Sequence, residues 1–171
     1  RDIVNRLGIK QTVTTIKSIQ EIPTEPTRIG VLDQDNLDLN KITLGEISSE
    51  AGKASVEWID YATKLCLSGD VQAMATAPIN KEAAALAGYK EIGHMERIQK
   101  LTNSKEVATM LVSGELRVVH LTTHRSLRNA CDAVTRENVL AKIFLTHEHF
   151  KLWGFARPKI GVAALNPHAS D

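Results

Sequence analysis

The chain has 171 residues, of which 43% are hydrophobic and 24% charged, and its formal net charge is +1. At this length a globular chain buries about two-thirds of its unfolded surface. The near-neutral balance offers no basic footprint for nucleic acid and none for an anionic membrane surface. No apolar run approaches the ~18 residues of a membrane span, and no signal-peptide pattern opens the chain. Cys66 and Cys131 are far apart and fit neither a disulfide framework nor a CxxC metal site. Their apolar surroundings predict buried free thiols in a reducing compartment, the cytoplasm. The chain opens on Arg1 rather than Met and ends at NPHASD just after a strand-like run. It is therefore expected to be part of a longer polypeptide.

In chain order, TRIGVLD at 27–33 reads as a short strand ahead of a polar turn. From Ile47 the period changes: Ile47, Ala51, Ala54, Trp58, Ala62 and Leu65 recur at three and four, the apolar stripe of a helix that Gly69 can end. VQAMATAP at 71–78 reads as a short buried strand closed by Pro78. INKEAAALAG begins a second helix, ending at Gly88. KEVATMLVSG and ELRVVHLTTH read as two strands around a tight turn at Ser113 and Gly114, a hairpin or two neighbours. Thr135 is placed to cap a helix whose face carries Val139, Ile143, Phe144, His147 and Phe150, with Gly154 at its end. RPKIGVAAL is a final strand, apolar almost throughout. Strands alternating with long helices, and apolar on both faces, predict an α/β chain with a substantially parallel sheet.

The chemistry-bearing residues are mostly histidines. His147 and His149 lie two apart on a helix and face different sides, as surface or boundary residues do. His120 lies within a predicted strand. His124 and His168 each follow a strand-like run, where loops of neighbouring strands of a parallel sheet converge. Two readings stay open for them: strand-end histidines whose rings donate to backbone carbonyls, or a pair of imidazoles holding a divalent metal. Two ligands fall short of a complete site, and His94 in GHMER would serve equally for a phosphate or a hydroxyl. In ATAPINK, Pro78 fixes the chain while Asn80 and Lys81 open a helix whose free N–H groups favour an anion. Arg125 and Arg128 add positive charge just past His124. An acidic or phosphorylated small substrate fits this set, and so does an ordinary solvated face.

Taken together, LGEISSEAGKASVEWIDYA, ATAPINKEAAALAG, GHMER, MLVSGELRVVHLTTHRSLR and FARPKIGVAALNPHA resemble, in order and spacing, the 4-hydroxythreonine-4-phosphate dehydrogenase family. The resemblance covers residues 44–169. It implies a three-layer α/β/α fold like that of isocitrate and isopropylmalate dehydrogenases, with only part of the two-domain subunit present in 1–171. It implies a homodimer with active sites between the domains and at the subunit interface. The implied activity is oxidation of the C3 hydroxyl of a 4-phosphorylated hydroxy acid by NAD or NADP, followed by decarboxylation.

The resemblance also implies a divalent metal cation (Zn, Mg, Co or Mn) held by three histidines. His124 of TTH and His168 of NPH match two of them, and the third comes from a later segment of the partner subunit. Substrate contact is implied at His94 and Met95, with Lys81 and Arg128 as polar or phosphate contacts. No residue is assigned a catalytic role, and the cofactor-binding residues are not identified. The family's opening glycine-rich segment has no counterpart ahead of Arg1, and its third metal ligand none after Asp171. Met95 replaces a threonine and cannot donate a hydrogen bond, which points to a related sugar acid phosphate such as D-erythronate or D-threonate 4-phosphate. Two alternatives are a cis-dihydrodiol carboxylate dehydrogenase of the same family and a non-catalytic domain acting by association.

Overall fold

The computed structural model describes residues 2–90 and 93–168. The end of the NPHASD segment, 169–171, lies outside the described residues. The chain divides into two compact units, Arg1–Ser104 and Lys105–Asp171.

The first unit opens with a short helix, α1 (Asp2–Arg6), and two strands, β1 (Thr12–Ile16) and β2 (Arg28–Leu32). These pair in parallel, Thr12 opposite Arg28 through Ile16 opposite Leu32. β1 was not expected: TVTTI has the β-branched residues that suit an extended backbone, but its threonines hide it from a search for apolar runs.

The long helix α2 (Ser49–Ser68) is set by its ends. The Ser48 hydroxyl accepts the Ala51 N–H at 3.1 Å, taking up one unpaired donor of the first turn. Gly69 then stops the helix in the left-handed conformation (φ 81°). The stripe that α2 buries is rotated from the one its periodicity predicts. Gly52, Ala54, Val56, Ile59 and Thr63 are buried, whereas Trp58 is 45% exposed and Ile47 lies exposed ahead of the helix.

The cause of that rotation is α3 (Lys81–Leu86), with α4 (His94–Thr102) packed on α2 as well. A Cβ on Gly52 would run into the carbonyl of Ala83. The two helices therefore approach backbone to backbone, where only glycine leaves room. Ala83 and Ala84 are buried at this crossing. The buried hydroxyl of Thr63 is satisfied within its own helix, donating to the Ile59 carbonyl at 2.7 Å.

The second unit contains the expected hairpin. β3 (Met110–Ser113) and β4 (Leu116–Val119) are antiparallel, Met110 opposite Val119 and Ser113 opposite Leu116, around a turn with Gly114 at positive φ. A short helix, α5 (Leu127–Asp132), precedes α6 (Arg136–Leu152). The Thr135 hydroxyl caps α6 as predicted, accepting the Asn138 N–H at 3.2 Å. Phe150, Trp153 and Phe155 cluster at the far end of α6, and the Arg117 guanidinium lies 5.2 Å from the Phe155 ring centre.

The α/β class holds, with several corrections. The described residues form two two-stranded sheets, one parallel and one antiparallel, rather than one substantially parallel sheet. Residues 71–79 and 158–164 form no ladder, because their backbone groups find no partner strand among the described residues. Nor is the second run buried: Val162 is 63% exposed. His120 sits just past the end of β4, its N–H donating to the Thr109 carbonyl at 3.1 Å. Cys66 is half-buried and Cys131 exposed, both as free thiols, so neither is the buried cysteine expected from its neighbours. No helix among the described residues is long and apolar enough to cross a membrane.

Candidate functional site

In the first unit, a groove of about 290 Å³ lies between α2 and the segment leading into α3. Its α2 wall is Ser55, Trp58, Ile59 and Ala62. Met74 to Ile79 and His94 complete the lining. The size suits a small molecule, and largely apolar walls with a few polar groups, here Ser55, Thr76 and His94, are the usual composition of such a site.

Two hydrogen-bonded ties fix the walls. The Trp58 indole N–H donates to Asn36 Oδ1 at 2.9 Å, while Asn36 Nδ2 donates to Glu57 Oε2 at 2.7 Å. One amide thereby locks the indole that faces the groove. His94 is the first residue of α4. One turn on, Arg97 grips Asp60 of α2 with two N–H donors, Nε lying 2.6 Å from Oδ1 and Nη2 meeting Oδ2. Trp58 was read as part of the core stripe. The signal that could have corrected this was the indole N–H itself, which requires an acceptor wherever it is covered.

The other expected residues are placed as follows. Met95 is 39% exposed, in the first turn of α4, and is not among the groove-lining residues. Lys81 is exposed at the first position of α3. The predicted anion site there meets a competitor, because the Asn80 side chain takes the Ala83 N–H at 2.9 Å and α3 has only six residues. In the second unit, Arg128 is exposed on α5. His124 is exposed, with its backbone in the left-handed region (φ 52°). His168 is exposed as well. His147 and His149 lie on α6, the first half-buried and the second with its Nδ1 against the Leu145 carbonyl at 2.8 Å. Among the described residues no group of three or more His, Cys, Asp or Glu comes together as a metal site.

The described residues combine helices with two two-stranded sheets, the composition of an α/β protein. Residues 2–171 match the model of the family described as pyridoxal phosphate biosynthetic protein PdxA, and the chain belongs to that family. It is 35% identical over 179 residues to D-threonate 4-phosphate dehydrogenase of Pectobacterium atrosepticum, covering 96% of this chain and 55% of that protein. To the D-threonate 4-phosphate dehydrogenase of Salmonella typhimurium it is 36% identical over 156 residues, covering 91% and 48%. The crystal structure of 4-hydroxythreonine-4-phosphate dehydrogenase from Klebsiella pneumoniae superimposes with a TM-score of 0.88 at 36% identity, over 94% of this chain and 48% of that one. The chain thus spans about half the length of these relatives.

Proposed function

We propose that this chain belongs to a metal-dependent NAD(P) oxidoreductase that oxidises the C3 hydroxyl of a 4-phosphorylated hydroxy acid, the 3-keto acid then losing carbon dioxide. The observation that carries this reading is that His94 lines a groove of small-molecule size in a chain matched by the family over residues 2–171. The two dehydrogenases of D-threonate 4-phosphate among its relatives support a substrate of that class, D-threonate or D-erythronate 4-phosphate. Met95 supports the same choice, since a thioether cannot donate the hydrogen bond that threonine would give. The finer fold proposed is the three-layer, isopropylmalate dehydrogenase-like subunit acting as a homodimer in the cytoplasm, with NAD or NADP as oxidant.

Within this reading His94 hydrogen-bonds a substrate oxygen, while Trp58, Ile59 and Pro78 exclude water from the groove. Lys81 and Arg128 are the proposed polar or phosphate contacts. The metal is tested by its donors. His124 and His168 are both exposed imidazoles, a donor type that suits Zn better than Mg or Mn. Two donors do not close a site, and a third from the partner subunit would complete the set. A bound cation would supply Lewis-acid polarisation of the substrate oxygens, and a nicotinamide cofactor would supply the hydride acceptor.

One observation favours a second reading. The groove walls are largely apolar, which suits a ring, as in a cis-dihydrodiol carboxylate, better than a short polar acid. Assaying D-threonate 4-phosphate, D-erythronate 4-phosphate and a cis-dihydrodiol carboxylate with NAD and NADP, by reduced-nicotinamide absorbance, separates the two. Turnover of the phosphates alone supports the first, and turnover of the diol alone sinks it. Elemental analysis of His124→Ala should reveal metal loss; unchanged content counts against the ligand assignment.

A further inference from the structure

We propose that the Asp60–Arg97 ion pair is a positioning device for the groove: it sets where His94 stands against the α2 wall, and through His94 it sets ligand affinity. This rests on the reading that His94 contacts substrate.

The helix α4 packs on α2. The helix has nine residues and none of them is buried. Its N-cap is Gly93, which has no side chain to cap the first turn. A helix this short is marginal on its own, and its position follows from its contacts with neighbours. Against that background the tie to α2 is strong. Both carboxylate oxygens of Asp60 are engaged by two N–H donors of one guanidinium, the forked geometry that fixes direction as well as distance. The two side chains are only 15% and 20% exposed, so solvent screens the pair far less than it screens surface ion pairs. A third contact pins the guanidinium from another side, its central carbon lying 5.4 Å from the centre of the Tyr89 ring just after α3. Arg97 therefore joins α4 to α2 and to the chain leaving α3.

The geometry passes this restraint to the groove. His94 and Arg97 are three apart on one helix and share a face. Asp60 lies on α2 between the groove-lining residues Ile59 and Ala62. His94 itself lines the groove together with Trp58 and Ile59, so the hold of Arg97 on Asp60 fixes the helix that brings His94 there. With the guanidinium engaged by its own carboxylate, Arg97 acts on ligand through His94 and not by contact.

The test uses the full chain with Arg97→Met, Arg97→Lys and Asp60→Asn beside His94→Gln. In ligand-free protein labelled with 13C-histidine, the His94 ring signal is identified by its loss in His94→Gln. It should move in Arg97→Met and Asp60→Asn and move less in Arg97→Lys, which keeps the charge but not the fork. With D-threonate 4-phosphate, KM should rise roughly tenfold in Arg97→Met while kcat stays within about twofold, the split expected when binding geometry alone is lost. Arg97→Lys should recover part of the affinity, which a mere loss of folded protein would not produce. An unmoved His94 signal overturns the proposal. So does an unchanged KM in Arg97→Met where His94→Gln raises it. If His94→Gln itself leaves KM unchanged, the substrate reading falls, while a displaced His94 signal still upholds the positioning role. Should Arg97→Met fail to fold, Asp60→Asn and Arg97→Lys give the same readouts.

Discussion

The two units obtain their structure by different means. Ile16, Ala54, Val56, Ile59, Ala83 and Ala84, the buried apolar residues among those described, all belong to the first unit. In the second, the described buried residue is a threonine, Thr146, whose hydroxyl is spent on the Lys142 carbonyl at 2.8 Å. The first unit packs small residues at close range, so a little apolar surface is covered completely. The second leaves Leu111, Val112, Leu116 and Val118 of its hairpin exposed, and two-stranded hairpins are marginal by themselves. Local stability is therefore expected to differ sharply between the units, with the second opening first in hydrogen exchange.

The largest disturbance of this contrast should come from Gly52→Ala. The new methyl group meets backbone rather than a movable side chain, so α2 and α3 must part, at a cost of about 3 kcal/mol. Thermal unfolding followed by circular dichroism would detect it, and an unchanged midpoint would mean that the crossing is looser than its geometry. Val56→Ala removes two buried methyl groups from the same core and should cost about 2 kcal/mol, measured by urea unfolding.

The counterpart in the second unit is Lys142. Its ammonium donates to the Val107 carbonyl at 2.9 Å and lies 3.8 Å from Glu106. Lys142→Met keeps the aliphatic stem and loses the bond, so about 1 kcal/mol should disappear. Faster amide exchange confined to 105–168 would be its signature, and spread of the effect into the first unit would break the comparison.

The smallest effect belongs to Glu50, in the first turn of α2. Its carboxyl is held below the usual range, chiefly by its own backbone N–H, then by Ser49 and Ser48, with Lys41 adding a little. A lowered folded-state pKa means stability that is present above the ordinary glutamate pKa and lost as pH falls through the folded value. Glu50→Gln should flatten that acid limb slightly. An identical acid limb would mean that the carboxylate is not engaged in solution.

Much of the helical framework was legible in the sequence. Gly69, Thr135 and Gly154 mark ends through backbone chemistry local to each residue. The hairpin was legible for the same reason, since Gly114 forces a turn between β-branched runs. α4 was not, because HMERIQKLT offers only Met95, Ile98 and Leu101 at a helical spacing within nine residues; its tie to α2 is made by Arg97 reaching a carboxylate 37 positions earlier. The groove was hidden likewise. His94 and Pro78 were singled out, but Trp58 and Asn36 become neighbours only through the tertiary path of the chain. The segments 71–79 and 158–164 misled because apolar composition marks burial or strand equally, while a ladder requires a partner that composition does not name.

Under the proposed metal role, the left-handed backbone at His124 sets stability and chemistry against each other at one position. Glycine and asparagine adopt that conformation most readily, whereas valine or isoleucine would be strained there. A library of all residues at 124, selected for folded protein, should enrich glycine and asparagine. Selected for metal retention, it should enrich histidine. How far those two rankings diverge measures what the imidazole is kept for.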